Sequence, residues 1–290
     1  MATMQRDSEV LFHSTPLASS QSGTLVSVSR QQAGWSTISF SVRRLIAGEP
    51  WQGDTGGEEA AFVILSGRLK VEWAVGTHRV GDHENVFAGY PYAVYLPCGT
   101  RFALVAETDC EIADCRVPSS APLAPRLITP RDVRLEIRGG GNATRQLLDV
   151  IPADFPADKL LVREVYTPSG NWSSYPPHKH DVHNPPHEVD LDETYYYRTD
   201  QADGYAFQRL YDAAGKHDET LRLTDGDLVL IREGYHPVVA AYGYNIYCLN
   251  VLAGSARSFA ASDDPRYSHL AKNWPPRDPR VPFVRPRHRM

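Results

Sequence analysis

The chain has no unbroken apolar run of about 18 residues, the length a membrane-spanning helix needs, so no such span is expected. Its opening residues, MATMQRDSEVLFHS, contain no apolar core of the secretory-signal kind, and a cytoplasmic location is expected. Cysteine is scarce: Cys98, Cys110, Cys115 and Cys248 are the only four in 290 residues, and no two form a C-x-x-C pair. That argues against a disulfide framework and for reduced, buried thiols. Positive charge is not in excess. The 30 Lys and Arg stand against 35 Asp and Glu, a net charge of −5, which speaks against a general nucleic-acid binder. The same balance permits a small anionic ligand, which needs only one or two local cations. Long helical periodicity is scarce as well.

What the chain does have is a succession of short runs rich in Val, Ile, Leu, Tyr and Phe, divided by Gly, Pro, Asp and Asn. AAFVILSGRLKVEWAV and YAVYLPCGTRFALVAE represent the first half; KLLVREVYTPSG, DLVLIREGYHPVVAA and YNIYCLNVLAG represent the second. Many short strands at regular spacing predict an all-β sandwich or barrel. The Pro-, Ser- and Ala-rich segment SSAPLAPRLITP (119–130) reads as a linker, which predicts an N-terminal domain over 1–125 and a C-terminal domain over 126–290. A weak internal duplication supports the division. Leu96-Pro97-Cys98-Gly99-Thr100 and Ile231-Arg232-Glu233-Gly234-Tyr235-His236 both read as a strand, a turn with glycine at positive φ, and a return strand. Phe102 in the first half falls near the place of His236 in the second, and the first half has no H-x-H.

The chemistry-bearing stretch is SSYPPHKHDVHNPPHEVDLDETYYY, which begins at Ser173. Two histidines one residue apart on a strand share a face, so His178 and His180 are expected to point together, with Ser174 and Pro176, while Lys179 points away. In the following strand Glu193, Tyr195 and Tyr197 share a face, opposite Tyr196 and Arg198. Adding His236 brings three imidazoles and a carboxylate to one point, a set that suits a divalent transition metal. With no cysteine in it, this set is unlike most structural zinc sites, and an octahedral ion such as Mn²⁺ or Fe²⁺ would keep two positions open. Spacing alone leaves Glu188, Asp192 and Glu193 as candidate acids; Glu193 is chosen because the aromatic strand starts directly after it. His183 and His187 sit in a Pro- and Asn-rich loop and read as surface or lid residues.

Several of these segments carry a resemblance. AFVILSGRLKVE, YAVYLPCGTRFALVAETD, RGGGNATRQ, LLVREVYTPSGNWSSYPPHKHD, ETYYYR, DGDLVLIREGYHPV and GYNIYCLNVLAG are similar to the 5-deoxy-glucuronate isomerase family of myo-inositol catabolism, with a weaker match in DDPRY. The resemblance implies a bicupin: two antiparallel, jelly-roll-like β-barrels in one chain. It implies zinc on His178, His180, Glu193 and His236, by likeness to ketol-isomerases of a 4-deoxy-5-keto-hexuronate. It also implies the conversion of 5-deoxy-D-glucuronate to 2-deoxy-5-keto-D-gluconate, an aldose–ketose isomerisation through an enediol. Tyr195 and Tyr197 are then the candidate proton-handling groups on the pocket face. Arg163 and Arg209, on strand-like runs of the second half, are the candidates for the substrate carboxylate. Arg145 follows the glycine-rich GGGNAT, a stretch that could let backbone approach a ligand or another subunit, and for each arginine taken alone a surface or interface salt bridge is the expected role. A homo-oligomer is expected, with the metal-free first half packing and self-associating. Isomerisation of a related deoxy-keto-hexuronate, a metal-dependent dioxygenase and a non-enzymatic sugar sensor are the competing functions. The Pro/Arg-rich tail WPPRDPRVPFVRPRHRM lacks an apolar period, but Trp274 and Phe283 favour docking over disorder.

Overall fold

A computed structural model of the chain describes residues 8–74 and 76–287. Among these the only helical elements are a four-residue α-helix, Arg30–Ala33, and a 3-10 segment, Ser268–Asn273; the other elements are strands. None of the helices is long and apolar enough to cross a membrane. The first half builds a nine-stranded antiparallel sheet around the long strand Glu58–Trp73. The second half builds a seven-stranded sheet around Leu191–Thr199, Ile246–Gly254 and Leu161–Thr167, and a four-stranded sheet that includes Ala206–Tyr211 and Val238–Ala240.

Side-chain alternation explains why the central strands read as unbroken apolar runs. In Glu58–Trp73, Ala61, Val63 and Leu65 face one core while Ala60, Phe62 and Ile64 face another. In Leu191–Thr199, Tyr196 joins the first of these cores and Tyr195 and Tyr197 join a third. The shared core, with Phe40, Tyr95, Tyr166, Tyr196 and Leu249, glues the two large sheets face to face. The other two of these three lie inside the separate barrels, and a small fourth cluster gathers Leu161, Val189, Leu191 and Leu252. Both faces of each large sheet are covered, so both parities must be apolar. A buried carboxylate ties the halves further: Glu59 accepts hydrogen bonds from the backbone N–H groups of Asp158, Lys159 and Leu160, at 2.8, 2.6 and 2.7 Å, and from the Tyr95 hydroxyl at 2.6 Å.

Three expectations need correction. The segment 119–130 is not a free linker, because Arg126–Ile128 pairs with Tyr92–Leu96 in the first sheet. In return, Leu11–Phe12 pairs with Leu228 and Val229 in the second, so two short strands cross the expected 125/126 boundary. The segment 174–180 is not one extended strand. Trp172–Ser173 and His178–Lys179 are separate two-residue strands, divided by Ser174 at φ 49° and a cis Tyr175–Pro176 bond. The turn glycines meet the expectation of positive φ, with Gly99 at 70° and Gly234 at 80°. All four cysteines are free.

The described part of the tail is docked. Val284 is buried, and the Gln146 side chain holds its backbone from both sides, donating to its carbonyl at 2.7 Å and accepting from its N–H at 3.1 Å. Phe283 packs on the shared core. The last three residues of the tail lie outside the described residues.

Candidate active site

One face of the seven-stranded sheet forms the floor of a cavity of about 320 Å³ in the second barrel. Four strands that are neighbours in the sheet each contribute alternate residues to it: Arg145 and Leu147, Arg163 and Val165, Asn250 and Leu252, and Glu193 and Tyr195. Strand register sets these beside one another, with Asn250 opposite both Arg163 and Tyr195.

His180 and Glu193 on the cavity wall meet His236, buried behind them, in a group of three in which each offers a ligand atom within 4.8 Å of the others. His180 Nε2 lies 2.9 Å and His236 Nε2 3.5 Å from Glu193 Oε2. The other ring nitrogens fix the tautomers. His180 Nδ1 lies 2.9 Å from the Leu191 carbonyl and His236 Nδ1 lies 3.1 Å from the Gly234 carbonyl. A carbonyl can only accept, so each Nδ1 carries its proton, and in the neutral rings each Nε2 turns a lone pair toward the carboxylate. Glu193 is oriented in turn by Asn250, whose side-chain amide donates to Oε1 at 2.6 Å. His236 Nε2 is buried with no hydrogen-bond partner. Two imidazole lone pairs and a carboxylate aimed at one another repel unless a cation stands between them, and backbone carbonyls behind ligating histidines are the usual supporting arrangement. The donor set therefore fits a divalent metal ion.

The protonation pattern follows from the same contacts. Burial works against charging His180, but the Glu193 carboxylate raises its pKa above the ordinary imidazole value. Burial and the neighbouring His180 push His236 down to about 4.

His178 borders the cavity but does not complete the compact group. Its ring centroid is 4.9 Å from that of His236 and 6.4 Å from that of His180. The interruption of the strand at Ser174–Pro176 also brings Ser173 and Tyr175 onto the cavity wall beside Ser174 and Pro176, which strict alternation forbids. Lys179 points away, to Asp181 and Glu188. Glu188 is taken up by Lys179 and by the backbone N–H groups of Asp181 and Val182. Asp192 accepts from Thr37 in the first half. Of the three acids considered from spacing, only Glu193 lines the cavity.

Tyr195 lines the cavity, its hydroxyl 2.9 Å from Ser174 Oγ. Tyr197 shares its face but lies further along the strand, inside the apolar core, where its hydroxyl donates to Gln208 at 3.0 Å. Burial raises both phenols well above the usual tyrosine range, with the Glu193 charge adding to the effect at Tyr195 and Cys248 at Tyr197. Arg163 lines the cavity but is engaged: it donates to Asp149 and its guanidinium lies 3.9 Å over the Phe259 ring. Arg209 is elsewhere. It forms an exposed, two-pronged pair with Asp218 at 2.8 and 2.6 Å, because its strand turns it to the outside of the four-stranded sheet. His183 and His187 are exposed, and His183 bonds Ser255 at 2.7 Å.

Sequence reasoning passed over Asp263 and Trp274, which complete the wall. Asp263 pairs in register with His178, and its carboxylate makes no hydrogen bond or ion pair among the described residues. Its only signal was the DDPRY segment. Trp274 arrives through the tail, which the glycine run admits: a Cβ on Gly140 would lie 2.2 Å from the Pro275 carbonyl oxygen and 2.7 Å from Trp274 Cβ. The close approach expected of GGG is therefore to the chain's own tail.

Fold and site together define a two-barrel, cupin-type β-protein with one barrel furnished to hold a cation. The fold is shared with an oxalate decarboxylase from Lactobacillus farciminis, at a TM-score of 0.67 and 11% identity over 93% of this chain and 92% of that one. The chain belongs to the KduI/IolB family, whose pattern matches residues 11–270. It is similar to 5-deoxy-glucuronate isomerase of Geobacillus thermodenitrificans, 41% identical over 87% of this chain and 93% of that protein. The Bacillus subtilis (strain 168) enzyme of the same name is 37% identical over 80% of this chain and 87% of its own length. Among solved structures, an IolB-like protein from Salmonella typhimurium LT2 superposes with a TM-score of 0.85 at 36% identity, covering 90% of this chain and 98% of that one.

Proposed function

We propose that the protein is a 5-deoxy-glucuronate isomerase, converting 5-deoxy-D-glucuronate to 2-deoxy-5-keto-D-gluconate with one divalent metal ion per chain. The observation that carries this reading is the convergence of His180, Glu193 and the unpartnered His236 Nε2 beside a cavity that three arginines also line. The relatives at 37–41% identity bear that enzyme name. His180, Glu193 and His236 would hold the ion, with His178 as a fourth ligand after a side-chain turn; zinc is favoured by family resemblance, and manganese or iron also fits the donor set. The ion would polarise the sugar carbonyl and stabilise negative charge developing on oxygen.

The rest of the reaction falls to the chain. The isomerisation takes the proton from C2 and delivers it to C1, moves the O2 proton off and places one on O1, and needs no redox partner. Tyr195, fixed by Ser174 and kept protonated, supplies a hydroxyl donor beside the reacting oxygens. Asp263, uncommitted on the cavity wall, supplies a carboxylate to accept the C2 proton. Trp274 and Phe259 narrow the cavity and limit water. The same reading has the protein work in the cytoplasm as a homo-oligomer on a small sugar acid. The test is anaerobic turnover of 5-deoxy-D-glucuronate, followed by NMR in deuterated water. Ketose formation without oxygen is expected; oxygen-dependent loss of substrate, or none at all with metal bound, would refute it.

A further inference from the structure

Three arginines line the cavity, and their states differ. Arg138 grips Glu136 with two hydrogen bonds, at 2.9 and 2.8 Å. Arg163 is paired with Asp149. Arg145, at the start of the strand Arg145–Ile151, is 4% exposed and has no carboxylate within ion-pair distance among the described residues. Its Nη1 donates to two backbone carbonyls, Ala143 at 3.2 Å and Tyr175 at 2.8 Å. It also stands directly across the strand pair from Arg138.

Each of these features costs stability. A buried guanidinium without a counter-ion is expensive, and like charges in register across a strand pair repel. Burial first, then Arg138, draws the Arg145 pKa down to about 9. The local structure nevertheless holds the side chain in place. Gly139 has φ +80°, and a Cβ there would lie 2.1 Å from the Ala143 oxygen and 3.2 Å from Arg145 Nη1. The kinked segment at Tyr175 supplies the second carbonyl. Asp263, on the same wall, acts on Arg145 only through its field and forms no pair with it.

We infer that Arg145 is the specificity-determining residue of the cavity: its guanidinium is the counter-ion for the carboxylate of a sugar acid whose carbonyl end lies at the His180–Glu193–His236 group. The inference rests on the isomerase reading and names the residue that makes the enzyme choose a uronate over a neutral aldose. A planar guanidinium matches a carboxylate with two parallel hydrogen bonds, and burial strengthens the pair.

The test compares binding of two unreactive hexose derivatives that differ at one end, D-gluconate and D-glucitol, by calorimetry on the intact protein. The native protein is expected to bind gluconate at least about 10-fold more tightly than glucitol. Arg145→Met is expected to weaken gluconate by about 10- to 100-fold, leave glucitol nearly unchanged, and unfold at the same or a higher temperature. Arg145→Lys is expected to restore part of the preference. The inference is overturned if the native protein shows no preference, if Arg145→Met keeps it, or if Arg163→Met abolishes it instead. A marked fall in unfolding temperature for Arg145→Met, with the preference intact in Arg145→Lys and in the surviving folded Arg145→Met, would make the residue structural and also overturn it. An Arg145-dependent preference in a protein that does not isomerise 5-deoxy-D-glucuronate would leave this inference standing and remove the isomerase reading.

Discussion

The two barrels are built on the same scheme and filled differently. In the first, the inward parity of Glu58–Trp73 carries Ala60, Phe62 and Ile64, and Phe62 meets Phe102 and Trp51 in an aromatic cluster with centroids 4.8 and 5.3 Å away. In the second, the inward parity of Leu191–Thr199 carries Glu193 and Tyr195. The same sheet geometry thus gives an apolar, aromatic-filled core in one half and a cavity lined with histidine, glutamate and arginine in the other. The first barrel buries large apolar side chains that stabilise the whole. The second leaves a buried arginine without a counter-ion and two imidazoles converging on a carboxylate, arrangements that a bound anion and a bound cation would respectively relieve.

The largest effect that would sharpen this contrast is on turnover. Glu193→Ala should lower it by about 1000-fold or more and abolish tight metal binding, with the circular dichroism spectrum kept. Phe62→Ala should do the reverse, lowering stability by about 3–5 kcal/mol in denaturant unfolding while turnover per folded molecule stays near native. If Phe62→Ala removed activity at full fold, the division of labour between barrels would be wrong. Asp263→Asn should cut kcat by about 100-fold or more with metal content unchanged, and Tyr195→Phe by less. Among the metal-site variants, His180→Ala should weaken the ion about 100-fold and His178→Ala about 10-fold, in a competition assay with a chelating dye.

A separate effect, on stability alone, concerns the seam between the barrels. Glu164 is buried with no cation paired to it among the described residues, and burial lifts it to about 7, against the pull of hydrogen bonds from Tyr166 and Tyr247. The Tyr166 hydroxyl lies 2.9 Å from the Val86 carbonyl and 2.7 Å from Glu164, and its single proton can serve only one of them. A protonated Glu164 donating to Tyr166, which donates to Val86, satisfies both. The folded pKa lies above the unfolded value of 4.5, so the folded state holds the extra proton between the two. Stability should therefore fall as pH rises through that window, by on the order of 3 kcal/mol, and level off above about 7. Glu164→Gln should flatten this slope in urea titrations.

How far the sequence could be read follows the same division. The β-architecture was legible because strand periodicity and glycine turns are local signals, and the H-x-H, the glutamate before the YYY run and the later histidine are short-range patterns. Period two gives the face of a strand but not how far along it the cavity reaches, which leaves Tyr197 indistinguishable from Tyr195, and it does not say which face of a strand turns inward, which leaves Arg209 open. Arg145 was visible but unchosen, since the absence of an acid beside it depends on Glu136 and Asp149 being spent on other arginines. Trp274 and Asp263 reach the wall through contacts distant in sequence. The strand exchange at Leu11–Phe12 and Arg126–Ile128 left no sign in the composition of 119–130.

If the second barrel holds one cation on His180, Glu193 and His236 as proposed, turnover depends on it. Stripping the protein with a chelator and adding back a divalent metal while measuring bound ion and anaerobic isomerisation together tests it most directly. Activity should rise in step with binding and saturate at one ion per chain, with neither response in Glu193→Ala. Full turnover in the stripped protein, or an ion retained by Glu193→Ala with native affinity, would contradict it.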